Sequence, residues 1–477
     1  MLPLLLFALV IAQAQSPSRG GAAALYQQGQ AAERANNLNA ARESYEAAVQ
    51  ADPTMAPAID RLGFVLGRLG RTQDALAAFE RAVKVAPDFF DAHYHLGATR
   101  WWTKDLDGAA AALEAAVRLK PSDAHAHYYF GLTLRQQGHL QPAIAQLREA
   151  VRLEPDLAVA RMQLGVALQQ AGDIEGAIEA LRMAVKLDPQ SVDARNSLGL
   201  ALMQNGVAEE AIATFRDLVT SAPTYTTARI NLGTALMERG DLSAAVDVLR
   251  ETCRIAPSNA EARYNLGLAL KQQDDFAAAE AELRKANEID PTLPEAAYTL
   301  GVVLWQTGRS EDATAAFRRA IAQRPDFADA HYMLGTVLRQ QGATADALAE
   351  FRKTIELRPT SAEAHLSLGQ LLAQTGQPDA AAAALAEAER LNARKADAEA
   401  STFAVGVGLK KLEANDTAGA IERFREAIRL APENARAHYQ LALALERVGE
   451  VREARAHFAE AERLAPNLRQ GTPPVKR

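Results

Sequence analysis

The sequence is poor in the residues that crosslink a chain or bind zinc. Its 477 residues contain one cysteine, Cys253, which excludes a disulfide framework, a CxxC redox pair and a multi-cysteine zinc site. Neither charge dominates, since 52 basic residues face 59 acidic ones, and this balance removes the global electrostatic reason to expect a nucleic-acid-binding protein. The composition therefore predicts a large soluble protein that needs no metal, cofactor or crosslink to fold.

Long apolar runs are equally scarce, and the only notable one lies at the start. Residues 3–12 form an apolar run of ten, too short to span a bilayer and typical of a secretory signal. Ala12 and Ala14 are the small residues that signal peptidase requires, although no Lys or Arg precedes the run. The sequence predicts a signal peptide over 1–14, cleaved after Ala14, and a flexible leader over 15–21. A misread start or an uncleaved anchor is the alternative, and we expect a periplasmic or secreted product.

Proline recurs with a period of 34 residues. Ten prolines lie at this interval, from Pro53 to Pro359, and Pro432 and Pro466 continue it after a shift of five residues. When this proline is position 32, thirteen repeats begin at residue 22 and every 34 residues to 362, then at 401 and 435. The predicted organisation is therefore repeats 1–11 over 22–395, an insertion or hinge over 396–400, repeats 12–13 over 401–468 and a disordered tail over 469–477.

Other positions of the repeat are equally regular. Position 8 is Gly in twelve of the thirteen repeats, position 20 is Ala in all of them, and position 24 is Phe, Tyr or Leu. Apolar positions recur with the helical period, so each repeat is predicted to form two amphipathic helices. Gly at position 15 predicts a left-handed end to the first helix, and the proline ends the second. Gly at position 8 is expected to face Ala at position 20, so that the two helices approach closely.

A unit such as Ala260–Gly267, followed by Ala279, Leu283 and Pro291, resembles the tetratricopeptide repeat, and the resemblance covers residues 22–468. It implies an all-α fold, a right-handed superhelical solenoid of antiparallel helix pairs. In this family the first helices line a concave groove that holds peptides or partner proteins. The resemblance supplies a scaffold and no catalytic residues, so we expect no enzyme activity and no cofactor.

The regular pattern is interrupted once. Repeat eleven has Ala393 in place of its proline, residues 396–400 are inserted, and no proline lies between Asp379 and Glu413. The second helix of repeat eleven is therefore predicted to run long and to fuse with the next first helix, which would set the last two repeats at a different angle. A looser loop at unchanged pitch is the alternative.

Candidate partner-binding residues follow from the family's groove positions. The three tryptophans, Trp101, Trp102 and Trp305, all occupy position 12 or 13 of their repeats. They are either binding anchors or lie flat against a neighbouring helix. Position 5 is tyrosine in seven repeats, either a groove wall or a ligand ladder: Tyr26, Tyr94, Tyr128, Tyr264, Tyr298, Tyr332 and Tyr439. Position 13 is glutamine in seven repeats: Gln136, Gln170, Gln204, Gln272, Gln306, Gln340 and Gln374. This neutral, aromatic and amide-rich lining suits a peptide or an amphipathic helix better than a polyanion.

Position 4 holds arginine or histidine in most repeats. Four successive arginines, Arg161, Arg195, Arg229 and Arg263, form either an anion-docking stripe or a solvated face. Five of the nine histidines share the position, which explains them as part of the repeat rather than as metal ligands.

Two classes of function remain open from the sequence. One is an exported, non-enzymatic scaffold that binds partner proteins or peptides in the groove, for instance in envelope assembly or secretion. The alternative is an accessory subunit of a polysaccharide export or carbohydrate-active complex. Neither involves nucleic acid, or a membrane span after cleavage of the signal.

Overall fold

The computed structural model describes residues 19–465, which form α-helices joined by short turns, with no strand among them. The predicted signal peptide over 1–14, the start of the leader and the tail over 469–477 lie outside the described residues. Residues 19–21 of the predicted leader are helical, because the first helix begins at Arg19.

The described residues divide into two compact units. The first comprises residues 19–172 and 176–191, and the second comprises residues 173–175 and 192–465. The helices up to Leu187 are α1 Arg19–Arg34, α2 Leu38–Ala51, α3 Ala56–Arg68, α4 Thr72–Val85, α5 Phe90–Trp102, α6 Leu106–Leu119, α7 Ala124–Gln136, α8 Leu140–Leu153, α9 Ala158–Gln170 and α10 Ile174–Leu187.

The remaining helices belong to the second unit. They are α11 Val192–Gln204, α12 Ala208–Ser221, α13 Thr226–Arg239, α14 Leu242–Ile255, α15 Ala260–Gln272, α16 Phe276–Ile289, α17 Pro294–Gln306, α18 Ser310–Gln323, α19 Ala328–Gln340, α20 Thr344–Leu357, α21 Ala362–Gln374, α22 Pro378–Glu413, α23 Thr417–Leu430, α24 Ala435–Arg447 and α25 Val451–Leu464. Within each unit, consecutive helices pack as tandem pairs. The prediction of an all-α fold built from tandem helix pairs is confirmed.

The turn inside each pair has the conformation that the sequence predicts. Nine glycines at position 15 have φ between 75° and 87°, a region that residues with a side chain rarely adopt. The same left-handed conformation occurs at the four repeats that lack this glycine, at Asn36, Lys104, Asp274 and Asn415, with φ between 55° and 68°. The end of the second helix also follows the prediction, because the residue before the proline is extended, as at Asp52 (φ −138°, ψ 95°).

Short polar side chains cap several second helices. Each accepts a hydrogen bond from the backbone N–H three residues later, at distances from 2.8 to 3.4 Å. These caps satisfy donors that would otherwise have no partner at the helix start, and each stabilises its helix by about 1 kcal/mol. The residues are Asn37, Asp105, Asp241, Asp275 and Asp416.

The glycine at position 8 marks the closest approach of the two helices in a pair. A Cβ atom on Gly301 would lie 2.7 Å from Cε1 of Phe317, and a Cβ on Gly267 would lie 2.6 Å from Cγ of Leu283. Both are side chains of position 24, and both are fully buried. The prediction that Ala at position 20 is the neighbour of this glycine is therefore corrected. The longer side chain at position 24 reaches across to the glycine and is its nearest neighbour, and in four repeats the carbonyl oxygen of Ala at position 20 also lies close, at 3.1–3.3 Å.

The irregular repeat contains the long helix that its lack of proline predicts. Helix α22 runs for 36 residues and includes the inserted residues 396–400. Residues 392–400 continue the helix where other repeats turn back into the next first helix. All nine of these residues are exposed. Position 3 of the following repeat, a buried alanine in most other repeats, is Phe403 with 75% of its surface exposed. The change of angle stays a prediction.

Substitution of the position 8 glycine should destabilise the protein. In Gly301→Ala the new methyl group overlaps the buried Phe317 ring, and we expect a loss of about 1–3 kcal/mol in the free energy of unfolding. Gly406→Ala is the matched control: no atom lies within 4 Å of its Cβ position, so the helix should gain about 0.5–1 kcal/mol. Urea unfolding followed by circular dichroism measures both. Midpoint shifts of the same sign would contradict the close-approach argument.

Candidate functional site

Three successive first helices of the first unit, α3, α5 and α7, surround one cavity of about 440 Å³. Its residues come mainly from positions 5, 6, 9, 12 and 13, which lie on one face of a helix because they are about one turn apart. The lining side chains that are not aromatic include Arg68, Thr72 and Thr99. We call this cavity the aromatic pocket, and its exposed or half-buried aromatic residues are Phe64, Tyr94, His95, Trp101, Trp102 and Tyr129.

Tyr129 lies at the centre of the aromatic contacts. Its ring meets the rings of Tyr94 and Trp101 edge to face, with centroids 5.9 and 5.7 Å away. Such pairs stabilise by about 0.5–1.5 kcal/mol beyond the area that they bury. The rings on α5 are thereby held by α7, so the pocket wall is rigid on this side.

The two adjacent tryptophans differ in their surroundings. Trp102 has 73% of its surface exposed, whereas Trp101 is half-buried, with the ammonium of Lys104 5.7 Å from its ring centroid. Nε1 of Trp101 is shielded from solvent and has no hydrogen-bond partner among the described residues. A buried donor without a partner costs about 1–3 kcal/mol, so this tryptophan is not placed for maximum stability.

A buried carboxylate lies behind the pocket. Asp60 is 1% exposed, and its Oδ1 lies 2.8 Å from Nδ1 of His95. Burial raises the pKa of Asp60, and the hydrogen bond with His95 opposes that rise. When Asp60 is ionised its carboxylate only accepts, so Nδ1 of His95 is the donor in this contact. His95 is thereby oriented by Asp60 at the wall of the pocket.

A second cavity of about 300 Å³ adjoins the aromatic pocket, because Arg68 lines both. Nε of Arg61 donates to Glu33 at 3.2 Å, and Glu33 also accepts from the hydroxyl of Tyr45 at 2.9 Å. Desolvation lowers the pKa of Arg61, and the like charge of Arg68 lowers it further. We call this space the basic cavity, and it is lined by Gln30, Glu33, Arg34, Arg61 and Arg68.

Comparison with protein families agrees with the tandem helix pairs of the fold. Two models of the tetratricopeptide repeat together match more than half of the chain, at residues 22–55, 61–124, 103–158, 162–226 and 408–468. The chain belongs to the tetratricopeptide repeat family. A model described as the C-terminal domain of cilia and flagella-associated protein 70 also matches residues 201–404. A comparison with curated proteins gave no match.

Several solved tetratricopeptide repeat structures are similar to parts of the chain. MamA is 28% identical, with 35% of this chain and 96% of that chain covered and a TM-score of 0.33. YrrB, described as having an unusual peptide-binding site, is 24% identical over 39% of this chain and 97% of that chain, with a TM-score of 0.34. The Cut9–Hcn1 hetero-tetramer of the APC/C is 14% identical over 89% of this chain and 96% of that chain, with a TM-score of 0.37.

The tyrosines at position 5 of this tetratricopeptide repeat protein are half-buried and pack on the second helix. Tyr298 contacts the ring of Phe317 with centroids 5.8 Å apart, and Tyr332 contacts Phe351 at 5.9 Å. These contacts place Tyr298 and Tyr332 against the second helix of their repeats, and the role of the position 5 tyrosines in binding stays a prediction. Burial is also the main cause of the raised pKa of four of them: Tyr94, Tyr128, Tyr264 and Tyr298.

The glutamines at position 13 are exposed along the first helices. One of them has a partner in the preceding repeat, because Nε1 of Trp305 donates to Oε1 of Gln340 at 2.8 Å. Trp305 thus has the hydrogen bond that Trp101 lacks. The exposed set is Gln136, Gln170, Gln204, Gln272, Gln306, Gln340 and Gln374, and their role in binding stays a prediction.

Sequence reasoning missed the residues that depart from the repeat's own pattern. Asp60 occupies the position that is most often tyrosine, and Arg34 and Arg68 occupy position 13, where later repeats have glutamine. A search for such departures in neighbouring repeats would have found Asp60, Arg34 and Arg68 together. His95 and Tyr129 occupy position 6, which varies along the chain and gives no comparable signal.

The basic residues at position 4 bind the backbone. Arg229 and Arg263 donate from Nε to the carbonyl of the proline six residues earlier, each at 3.0 Å. The histidines use Nε2 for the same contact, at 2.9 to 3.1 Å: His93, His127, His331, His365 and His438. These contacts join the end of one repeat to the start of the next. The sequence predicted either a docking stripe or a solvated face for the arginines, and neither prediction included this hydrogen bond to the proline carbonyl.

Over residues 19–465, no group of three or more His, Cys, Asp or Glu side chains is placed to hold a metal ion. Within the same residues, no helix is both long and apolar enough to cross a membrane. Cys253 is buried, and burial raises the pKa of its thiol, as expected of a cysteine among core positions.

Two histidines are in direct contact in the last helix pair. Nδ1 of His438 lies 2.9 Å from Nδ1 of His457, and Nε2 of His438 lies 3.0 Å from the carbonyl of Pro432. When Nε2 of His438 donates to that carbonyl, Nδ1 of a neutral His438 ring accepts from Nδ1–H of His457. Burial lowers the pKa of His457; His438 and Arg425 lower it further, and Glu453 raises it.

The α24–α25 pair should therefore lose stability in mild acid. The unfolded chain binds the proton of His457 with a pKa of about 6.5, whereas the folded chain binds it only at lower pH. The stabilising contribution is fully present above about pH 6.5 and is lost as the pH falls through the lowered pKa. We expect hydrogen-exchange protection in α24 and α25, corrected for intrinsic rates, to fall between about pH 7.5 and 5.

The histidine-free pair α17–α18 is the internal control. His457→Gln should remove the selective fall in α25, because the titrating ring is absent. Equal changes in the two pairs of the wild-type chain would show that the histidine contact has no such effect.

Proposed function

We propose that this chain is an exported, non-enzymatic scaffold that binds partner proteins or peptides through the face formed by its first helices, in envelope assembly or secretion. The observation that carries the proposal is the aromatic pocket on α3, α5 and α7. It combines a cavity of about 440 Å³ with aromatic residues, which dominate the binding energy of protein interfaces.

The two tryptophans of the pocket support binding rather than folding as their role. Trp102, with 73% of its surface exposed, buries little of its ring. Trp101 leaves its indole N–H without a partner, and the cost of such a donor is about 1–3 kcal/mol. Trp305, in contrast, donates to Gln340. This contrast supports Trp101 and Trp102 as binding candidates and favours an internal role for Trp305.

The proposal predicts different effects for these tryptophans. Crosslinking of the mature protein in its native compartment, followed by mass spectrometry, should identify the bound partner. Trp102→Ala should weaken binding of that partner by about 1 kcal/mol or more, a fivefold or larger rise in Kd, because an exposed anchor is lost. Titration of the purified partner into each variant measures this effect.

Trp305→Ala is the control, since it removes an indole ring from the last turn of another first helix, at position 12 instead of 13. It should leave partner binding within about twofold of the wild type. Equal losses in Trp102→Ala and Trp305→Ala, or no loss in either, would remove the pocket from the proposed function.

Export has support only from the first residues. The apolar run over 3–12 and the small residues Ala12 and Ala14 have the composition of a cleaved signal. N-terminal sequencing of the protein from its native cell should therefore give a chain that starts near Gln15. Recovery of Met1 in the cytoplasmic fraction would contradict export and leave the binding proposal unaffected.

A further inference from the structure

We propose that the aromatic pocket and the basic cavity together bind an acidic peptide segment of the partner. A bulky apolar side chain of that segment occupies the pocket, and neighbouring Asp or Glu side chains contact Arg34 and Arg68. This inference rests on the proposed function, because it specifies the chemistry of the peptide that the same face binds.

The two cavities form a continuous site. Arg68 lines both of them, and position 13 of three successive repeats is Arg34, Arg68 and Trp102. Residues at the same position of successive first helices lie side by side along the face of the array. A segment that crosses these helices therefore meets two guanidinium groups and then the aromatic pocket.

The charge around the site is opposite to the charge of the chain. The whole sequence has a net charge of −7, but this site contains three cations near one another. Arg61 is neutralised by Glu33. Arg68 bonds only the neutral amide of Asn36, at 2.9 Å, and no described acidic side chain forms an ion pair with Arg34. Two exposed guanidinium groups thus remain free to pair with carboxylates of a partner.

Besides Arg34 and Arg68, Lys104 adds a positive charge at the other end of the site. It has φ of 68°, a left-handed conformation that residues with a Cβ atom rarely adopt, and nine other repeats use glycine there. Its ammonium lies over the ring of Trp101. A strained residue with a charged side chain beside a binding pocket is consistent with a functional role for the charge.

The chain's own ends do not fit this site. Residues 1–18 and 466–477 contain no Asp or Glu, so neither segment can supply the carboxylate side chains. A neutral glycan could stack on the aromatic rings, but it would leave both arginines without a counter-charge. The charge argument therefore favours an acidic segment of another protein.

Defined peptides can test this assignment on the full chain. The probes are fluorescein-labelled, C-terminally amidated Gly/Ser peptides that contain one Trp and two Glu at varied spacing and in both orders. Matched sets replace both Glu by Gln, or Trp by Ala. Fluorescence anisotropy gives Kd for the wild type, Trp102→Ala, Arg34→Ala, Arg68→Ala and the control Arg447→Ala, which removes an exposed arginine from position 13 of the last repeat.

We expect the best Glu peptide to bind about tenfold more tightly than its Gln counterpart. Arg34→Ala and Arg68→Ala should each weaken the Glu peptide by about three- to fivefold, the size of an exposed ion pair, and should leave the Gln peptide unchanged. Arg447→Ala should have no effect, and Arg68→Lys should restore part of the affinity. Added salt should weaken only the Glu peptide.

The outcomes separate the two proposals. Equal Kd values for Glu and Gln peptides, with Trp102→Ala still harmful, would overturn the acidic segment and keep the peptide scaffold. Tighter binding of a neutral oligosaccharide than of any peptide would overturn both. Dimerisation of the wild type in sedimentation, lost in Arg68→Ala, would identify a second copy as the occupant and overturn the partner peptide.

Discussion

The contact between the glycine at position 8 and the side chain at position 24 constrains the rest of the structure. Gly301 and Phe317 approach so closely that no Cβ atom fits between them. This distance sets how the two helices of a repeat cross, and the crossing orients the outward positions 5, 9, 12 and 13 of the first helix. Because the same pair recurs along the chain, every first helix presents the same face. The face that we propose for binding is therefore a consequence of one packing contact that is repeated.

The repeat also explains why most of its polar residues have structural partners. The basic side chain at position 4 closes the junction between repeats, as His331 does when it contacts the carbonyl of Pro325. Tyr298 and Tyr332 cover the rings at position 24. Once these residues have been assigned to the scaffold, the departures from the pattern stand out. Four of them, Arg34, Asp60, Arg68 and Lys104, lie in the first three repeats, around the aromatic pocket and the basic cavity.

Stability and binding make opposite demands at that place. Asp60 is a buried carboxylate in a position that is most often tyrosine, Trp101 leaves a donor without a partner, and Lys104 has a backbone conformation suited to glycine. Each feature costs free energy that the regular repeats do not lose. The regular packing of the neighbouring pairs supports this irregular site, since each repeat is stabilised by contacts with its neighbours.

The sequence by itself determined the helix pairs, their turns and the long helix α22, which runs through Ala393 where the repeat lacks its proline. Those features depend on backbone preferences and on a fixed 34-residue period, so the printed residues at positions 8, 15, 24 and 32 are sufficient. The tertiary structure decided which side chains are already paired. Two such pairs are Asp60 with His95 and Trp305 with Gln340. The residues of each pair are 35 positions apart in the sequence and meet between the first helices of successive repeats. Their pairing, and the lack of a partner at Trp101, depend on side-chain directions across an interface, which composition and spacing do not specify.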